Sequence, residues 1–363
     1  MRVAIGAVAG TIGGPATYAI ELAKALVATF PDDRFTVLTD RPGAFASVCE
    51  TRTVELSSAW EQPLWDHLRI PATLTTGKFD LYHGTKGVVP RRGSTPAVVT
   101  IHDLASYVMP QTFRLAQRLH LAWETPWAVR HARAIVVPSE STAGDVARFF
   151  PAHSSKTVVT PEAPAMPLRP AGPAAIAAWR ERYHVEKPAC GYLGTIQPRK
   201  NLDLLVEAFL DAAGTRDWKL VIAGRLRPGE KPSFLERDPR VVYVGALPDE
   251  EIAAFFGSIR CMVSPSAYEG FGLTFIEAMA AGCPVIGLRN SSVPEVVGDA
   301  GILVDSPDDL SRAIERLMTD DRVAIDLSRR GRERAARFSW SETARRTMSA
   351  YRRALGGSSE ASS

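Results

Sequence analysis

Short apolar runs and helical patterns take turns along this chain almost from end to end, and that alternation limits its fold more than any other feature. Seven runs of strand character come first: Arg2–Ala7, Phe35–Leu38, Thr53–Leu56, Leu81–His83, Ala97–Ile101, Ala134–Val137 and Thr157–Val159. Six more follow: Ala189–Leu193, Lys219–Ala223, Val241–Val244, Cys261–Val263, Pro284–Gly287 and Gly301–Val304. Helical patterns such as Pro15–Phe30 and Ser141–Phe149 lie between them. Strands joined through helices are joined by crossovers, so parallel sheets are expected.

One stretch breaks the rhythm. Pro161, Pro164, Pro167, Pro170 and Pro173 recur every third residue. Proline removes the backbone donor that a helix or central strand needs, so this stretch reads as an extended linker. With 363 residues the chain exceeds the usual size of one hydrophobic core. The expected division is 1–165, 166–340, a helix at 341–355 that crosses back to the first domain, and a disordered Gly- and Ser-rich tail at 356–363.

A net charge of +3 gives no reason to expect nucleic acid. Between Arg329 and Arg353 nine Arg stand against two Glu. This run reads first as a solvated helix face, with peripheral contact to an anionic membrane as the alternative. Cys49, Cys190, Cys261 and Cys283 form no CxxC pair, so zinc and thioredoxin chemistry are not expected. The last three sit in or beside apolar runs, as small buried thiols do. The N-terminus does not read as a signal peptide, and no apolar run reaches eighteen residues. A cytoplasmic protein is expected, with peripheral attachment at the inner membrane face left open.

Ligands of open parallel sheets bind beyond the carboxyl ends of the strands, so the chemistry is sought there. Gly10-Thr11-Ile12-Gly13-Gly14 follows the first strand; it suits either close approach to a ligand or a tight turn. Its spacing is not GxGxxG, which weakens a nicotinamide reading. His102-Asp103 follows the fifth strand and could hydrogen-bond a sugar or move a proton. Ser139-Glu140 reads mainly as a helix cap. In the second half, Gly194-Thr195-Ile196-Gln197-Pro198-Arg199-Lys200-Asn201 places two cations at a helix start, where the helix dipole disfavours them. A diphosphate would supply the missing negative charge. The richest segment is Glu269-Gly270-Phe271-Gly272-Leu273-Thr274-Phe275-Ile276-Glu277. Its glycines admit a ligand to the backbone, its helix start suits phosphate, and its two carboxylates suit sugar hydroxyls. Glu295 reads first as part of a helix N-terminus.

These elements, in this order, resemble the retaining GT-B glycosyltransferases of family GT4 over nearly the whole chain. Glu269 and Glu277 match the family's Glu-x7-Glu signature, and Gly194–Asn201 resembles an element of its mannosyl- and rhamnosyltransferase-like members. The resemblance implies an α/β GT-B fold: two Rossmann-like, doubly wound parallel-sheet domains facing a central cleft. It implies a nucleotide-sugar donor in the second domain and a hydroxyl-bearing acceptor, whether glycan, lipid-linked or small molecule, in the first. Glu269 would contact the donor sugar and Glu277 the ribose. The backbone of Gly270, Phe271, Gly272, Leu273 and Thr274, with Gly194 and Thr195, would face sugar and diphosphate. Arg199 and Lys200 would neutralise the leaving group, and His102 would touch the sugar near its anomeric carbon. Gly13 and Gly14 would lie close to donor or acceptor, Val244 would border the base, and Asp103 would serve the acceptor. Many members carry Arg where this chain has Thr195, and many carry Gly where it has Asn201.

No Asp-x-Asp pair occurs, so no metal and no cofactor are expected; Arg199, Lys200 and helix N-termini would carry the leaving group's charge. The resemblance implies retention by a front-face route, with closure about the Pro161–Pro173 hinge assembling the site. GDP-mannose is the leading donor by resemblance, with UDP- and dTDP-sugars open. A non-catalytic sugar-nucleotide-binding protein and a nicotinamide oxidoreductase are the rivals from other classes. Trp60, Trp65, Trp123 and Trp127 either fill the core or line an acceptor pocket.

Overall fold

Every strand pairing in the computed structural model, which describes residues 1–8, 14–56, 61–165, 168–226 and 232–356, is parallel. The first sheet comprises β1 (Arg2–Gly6), β2 (Arg34–Thr39), β3 (Glu50–Thr53), β4 (Leu81–Gly84), β5 (Ala97–Thr100), β6 (Ala134–Val137) and β7 (Thr157–Val159), in the order β3-β2-β1-β4-β5-β6-β7. The second comprises β8 (Ala189–Leu193), β9 (Lys219–Ala223), β10 (Val241–Gly245), β11 (Met262–Ser264), β12 (Val285–Leu288) and β13 (Ile302–Val304), in the order β10-β9-β8-β11-β12-β13. The chain divides into one unit of 1–165 with 339–363 and a second of 166–338.

Both orders reverse direction beside their first strand. The switch lies between β1 and β4 in one sheet and between β8 and β11 in the other. Connections leave a switch point to opposite faces of the sheet, which opens a crevice at the carboxyl ends of the two strands.

The main helices of the first unit are α1 (Gly14–Thr29), α2 (Leu115–His131) and α3 (Glu140–Phe149). In the second they are α4 (Pro173–Arg182), α5 (Leu202–Ala213), α6 (Ile252–Ser258), α7 (Leu273–Ala280), α8 (Val293–Val297), α9 (Pro307–Thr319) and α10 (Asp321–Ala335). Period-3.6 patterning explains their docking. On α5, for example, Leu202, Leu205, Val206, Phe209, Ala212 and Ala213 are buried while Asp203 and Glu207 are on the outer side. The last helix, α11 (Trp340–Ala354), belongs to the first unit. Ser339 caps it, and Ala344, Met348 and Tyr351 join Tyr18, Leu22 and Leu26 of α1 in one core.

The third strand corrects the sequence reading. Thr53–Leu56 was expected; the strand is Glu50–Thr53, in register with Thr36–Thr39. It is an edge strand with partly exposed side chains, so it carries little apolar signal. Val54 is buried only after the ladder ends. Segments 10–13 and 357–363 and residue Trp60 lie outside the described residues.

Candidate functional site

At the switch point of the second sheet, the loops after β8 and β11 meet. Arg199 and Lys200 stand 70 and 69 residues from Glu269 in sequence, yet both pair with its carboxylate: Lys200 Nζ with Oε1, and Arg199 Nη1 with Oε2 at 3.6 Å. Arg199 also donates to the Tyr268 carbonyl at 2.9 Å, and its own carbonyl accepts from Ala267 N at 2.9 Å. Glu269 is 6% exposed. Burial pushes its carboxyl pKa up, but Lys200 and Arg199, with hydrogen bonds from Lys200 and Ser266, outweigh this and hold it below the ordinary value.

The cations do not sit in a helix's first turn, as the sequence suggested. Pro198–Lys200 form a single tight turn, Asn201 takes left-handed backbone (φ 58°), and α5 starts at Leu202. The protein itself supplies part of the counter-charge through Glu269.

A framework that the sequence reading missed holds the Glu269 loop. Ser292 Oγ lies 3.0 Å from the Glu269 carbonyl and 2.9 Å from that of Phe271. Glu269 N donates to Ser291 Oγ at 2.9 Å, and Asn290 Nδ2 donates to the Ser266 carbonyl at 3.0 Å. The signal for it in the sequence is the Asn-Ser-Ser run just beyond β12. Gly272 takes φ 97° and turns the chain into α7, with Leu273 and Thr274 half-buried in its first turn. Glu277 is half-buried one turn further on. Phe271 is buried, edge-on to Phe338.

Gly194 and Gly224 end β8 and β9 back to back. A Cβ on Gly224 would fall 1.8 Å from the Gly194 carbonyl oxygen, so the two loops approach only because Gly224 has no side chain. Thr195 is exposed and Val244 half-buried.

In the first unit His102 follows β5. Its Nε2 lies 2.8 Å from the Thr85 carbonyl, which can only accept, so Nε2–H donates. Its Nδ1 faces Glu162 Oε1 at 3.4 Å. Glu162 is 4% exposed and comes from the proline-rich stretch, where the sequence reading saw only a linker. Tyr18 meets His102 edge-on at 4.8 Å. Behind them runs a buried chain: Tyr18 Oη to Thr100 Oγ1 (3.0 Å), Thr100 to His83 Nε2 (2.7 Å), and His83 Nδ1 to Tyr351 Oη (2.7 Å). Asp103 accepts from Ala105 N at 2.9 Å and so shapes the local turn. Ser139 caps α3 by accepting from Thr142 N. Gly14 opens α1; Gly13 lies outside the described residues. Trp65 and Trp127 are half-buried, and Trp123 is exposed.

Residues 12–163 match the model described as Glycosyltransferase Family 4, and residues 187–320 match Glycosyl transferases group 1. The O-antigen chain mannosyltransferase B of Escherichia coli is 29% identical over 75% of this chain and 74% of its own length. An MMP α-(1→4)-mannosyltransferase of Mycolicibacterium hassiacum is 33% identical over 44% of this chain and 41% of its own. Among solved structures, a sucrose-phosphate synthase of Thermosynechococcus elongatus superposes with a TM-score of 0.77 at 22% identity, covering 98% of this chain and 99% of that one. HepE of Anabaena, in complex with UDP and glucose, gives 0.76 at 19%, covering 96% and 98%. Two Rossmann-like parallel-sheet units of this kind are the GT-B fold, and the protein is a glycosyltransferase. It belongs with the GT4-like enzymes, the group 1 and family 4 glycosyltransferases.

Proposed function

We propose that the protein moves a hexose, with mannose from GDP-mannose as the first choice, onto a hydroxyl of a glycan or glycoconjugate acceptor, with retention and without a divalent metal. The observation that carries this is the cluster of Lys200 and Arg199 on the buried Glu269 carboxylate at the switch point of the second sheet. As the glycosidic bond breaks, charge grows on the leaving diphosphate. Preorganised cations and helix-start N–H groups stabilise that charge without reorganising. Glu269 holds Lys200 and Arg199 at the carboxyl ends of the strands until the donor arrives. The two cations then face the diphosphate, while the Glu269 carboxylate accepts from sugar hydroxyls. The departing phosphate takes the acceptor's proton on the same face of the sugar. His102, its two ring nitrogens held by Thr85 and Glu162, presents the edge of its ring to the sugar, and Glu277 holds the ribose.

Mannose is favoured because relatives at about 29% identity are named mannosyltransferases. A UDP-sugar is the second reading, because HepE is described with UDP and glucose. A thermal-shift panel of GDP, UDP, dTDP and ADP, followed by turnover of the matching sugar nucleotides, separates the two. GDP at a hundred times its dissociation constant is expected to stabilise the protein by about 2.7 kcal/mol. A shift with UDP alone replaces mannose, and no shift with any nucleotide removes the proposal. Activity abolished by EDTA and restored only by Mg²⁺ or Mn²⁺ removes its metal-independent part.

A further inference from the structure

Many arginines on this protein stand among acids. In the C-terminal helices Arg329 and Arg330 pair with Asp326, Arg329 also with Glu333, and Arg345 and Arg346 with Glu342. Arg237 pairs with Asp203 and Glu207.

One place in the first unit departs from this. A cavity of about 240 Å³ lies at the amino end of β5, against Trp127 and His131 of α2 and Arg133 just before β6. His102 follows the opposite end of β5, so this hollow is not the crevice at the carboxyl ends of the strands. Arg91, Arg92 and Arg133 line it, and its described lining holds no Asp or Glu. Arg91 is compensated from outside, through Glu124 at 3.1 Å. Arg92 and Arg133 are exposed, and neither pairs with a carboxylate among the described residues. Like charges around one hollow raise its potential and favour an anion there.

Neutral donors add to the charge. No hydrogen bond among the described residues uses the backbone N–H of Arg92, Gly93, Ser94 or Thr95, and all four residues line the cavity. The hydroxyls of Ser94 and Thr95 line it too. The wall opposite is rigid. His131 stacks on Trp127 with ring centres 3.5 Å apart, and its Nδ1 donates to the Trp127 carbonyl at 2.9 Å. The Arg91 guanidinium lies 4.7 Å from the Trp127 ring centre. The carbonyls that end α2 would repel an anion. Lys156 takes them up: its Nζ donates to the carbonyls of Arg130 and Ala132 at 2.8 and 3.0 Å.

We infer that this cavity binds a phosphate group carried on a small soluble molecule, with Arg92 and Arg133 as its cations and the 92–95 stretch as its N–H donors. Two uncompensated guanidinium groups match the charge of a phosphate monoester, about −1.5 to −2 at neutral pH, where a carboxylate brings only one. A water molecule claims ~30 Å³ in the liquid, so the hollow has room for a phosphate and part of what carries it. The inference does not depend on the donor reading.

The test is arginine footprinting of the full chain with phenylglyoxal, mapped by mass spectrometry at constant ionic strength. The probes are inorganic phosphate, glucose 6-phosphate and glucose. Both phosphates are expected to slow labelling of Arg92 and Arg133 by about fivefold or more, glucose 6-phosphate at the lower concentration, and to leave Arg345 unaffected. Equal potency of the two phosphates supports the site and assigns free phosphate as its ligand. In calorimetric titrations with glucose 6-phosphate, Arg92→Ser with Arg133→Ser is expected to weaken binding by about tenfold or more, and Lys200→Ala by less than about twofold. Both substituted arginines are exposed, and the footprint on the native protein needs no variant. Protection confined to Arg199 puts the phosphate at the second unit's cluster and overturns the inference. Equal protection of Arg345 reduces the effect to salt screening, and equal protection by glucose makes the cavity a sugar site; either overturns it. Native affinity in the double variant does so as well.

Discussion

Glu269 is the residue on which the second unit's site turns. It is a buried carboxylate that stays charged because two cations face it. Removing one partner of a buried pair leaves the other charge uncompensated, at a cost of about 3–5 kcal/mol. Glu269→Ala is therefore expected to lower chemical stability by that order in urea titrations, and Lys200→Ala by less, because Arg199 still faces the carboxylate. Lys200→Ala should also cut kcat by about 10²- to 10³-fold, because it removes a donor aimed at developing charge. Glu269→Gln keeps the shape and loses the charge; a variant with native turnover would refute the catalytic use of this carboxylate. In the first unit Glu162 acts on His102, not on the sugar directly. Glu162→Gln is expected to lower kcat by about tenfold with little change in KM for the donor, and to move the pH profile of kcat. An unchanged pH profile would leave Glu162 a purely structural group. Glu162 could not be picked out in the sequence, because its partner lies 60 residues away and its neighbours are prolines that signal only extended chain.

Packing of single elements gives the first unit a marked pH response. His83 on β4 is fully buried between Thr100 and Tyr351, and burial, with the nearby His102, pushes its pKa down to about 3. A histidine depressed in the folded state favours folding above its unfolded value of about 6.5, and that contribution fades as pH falls toward 3. Asp66 behaves oppositely. Burial raises its pKa to about 7, so its contribution is complete below the unfolded carboxyl value and is lost as pH rises through 7. Urea unfolding at a series of pH values should show acid loss of stability between pH 6.5 and 3 that Tyr351→Phe does not remove and His83→Gln reduces. Asp66→Asn should gain stability at pH 8 and none at pH 3. If His83→Gln leaves the acid limb intact, other groups cause it.

For the molecule as a whole, the chain path matters most. α11 follows the second unit in the chain, yet it supplies Ala344, Met348, Tyr351 and Ala354 to the core that begins with β1 and α1. Deleting residues 339–363 is expected to expose that core and to give an aggregating first unit, while the isolated 166–338 unit retains cooperative thermal unfolding and the nucleotide-induced shift. A soluble, two-state truncated protein would contradict this. The alternation of apolar runs and helices already determined that the sheets are parallel, because a strand period between crossover helices has few other solutions. The glycine-flanked Glu269 and the Arg199-Lys200 step were visible as chemistry, because residue type and spacing are local properties. Their meeting on one carboxylate, the Ser291 and Ser292 scaffold, and the pairing of Glu162 with His102 were decided only by the fold. Each joins segments from 21 to 70 residues apart, and one-dimensional patterns carry periods of a few residues, not distances in space.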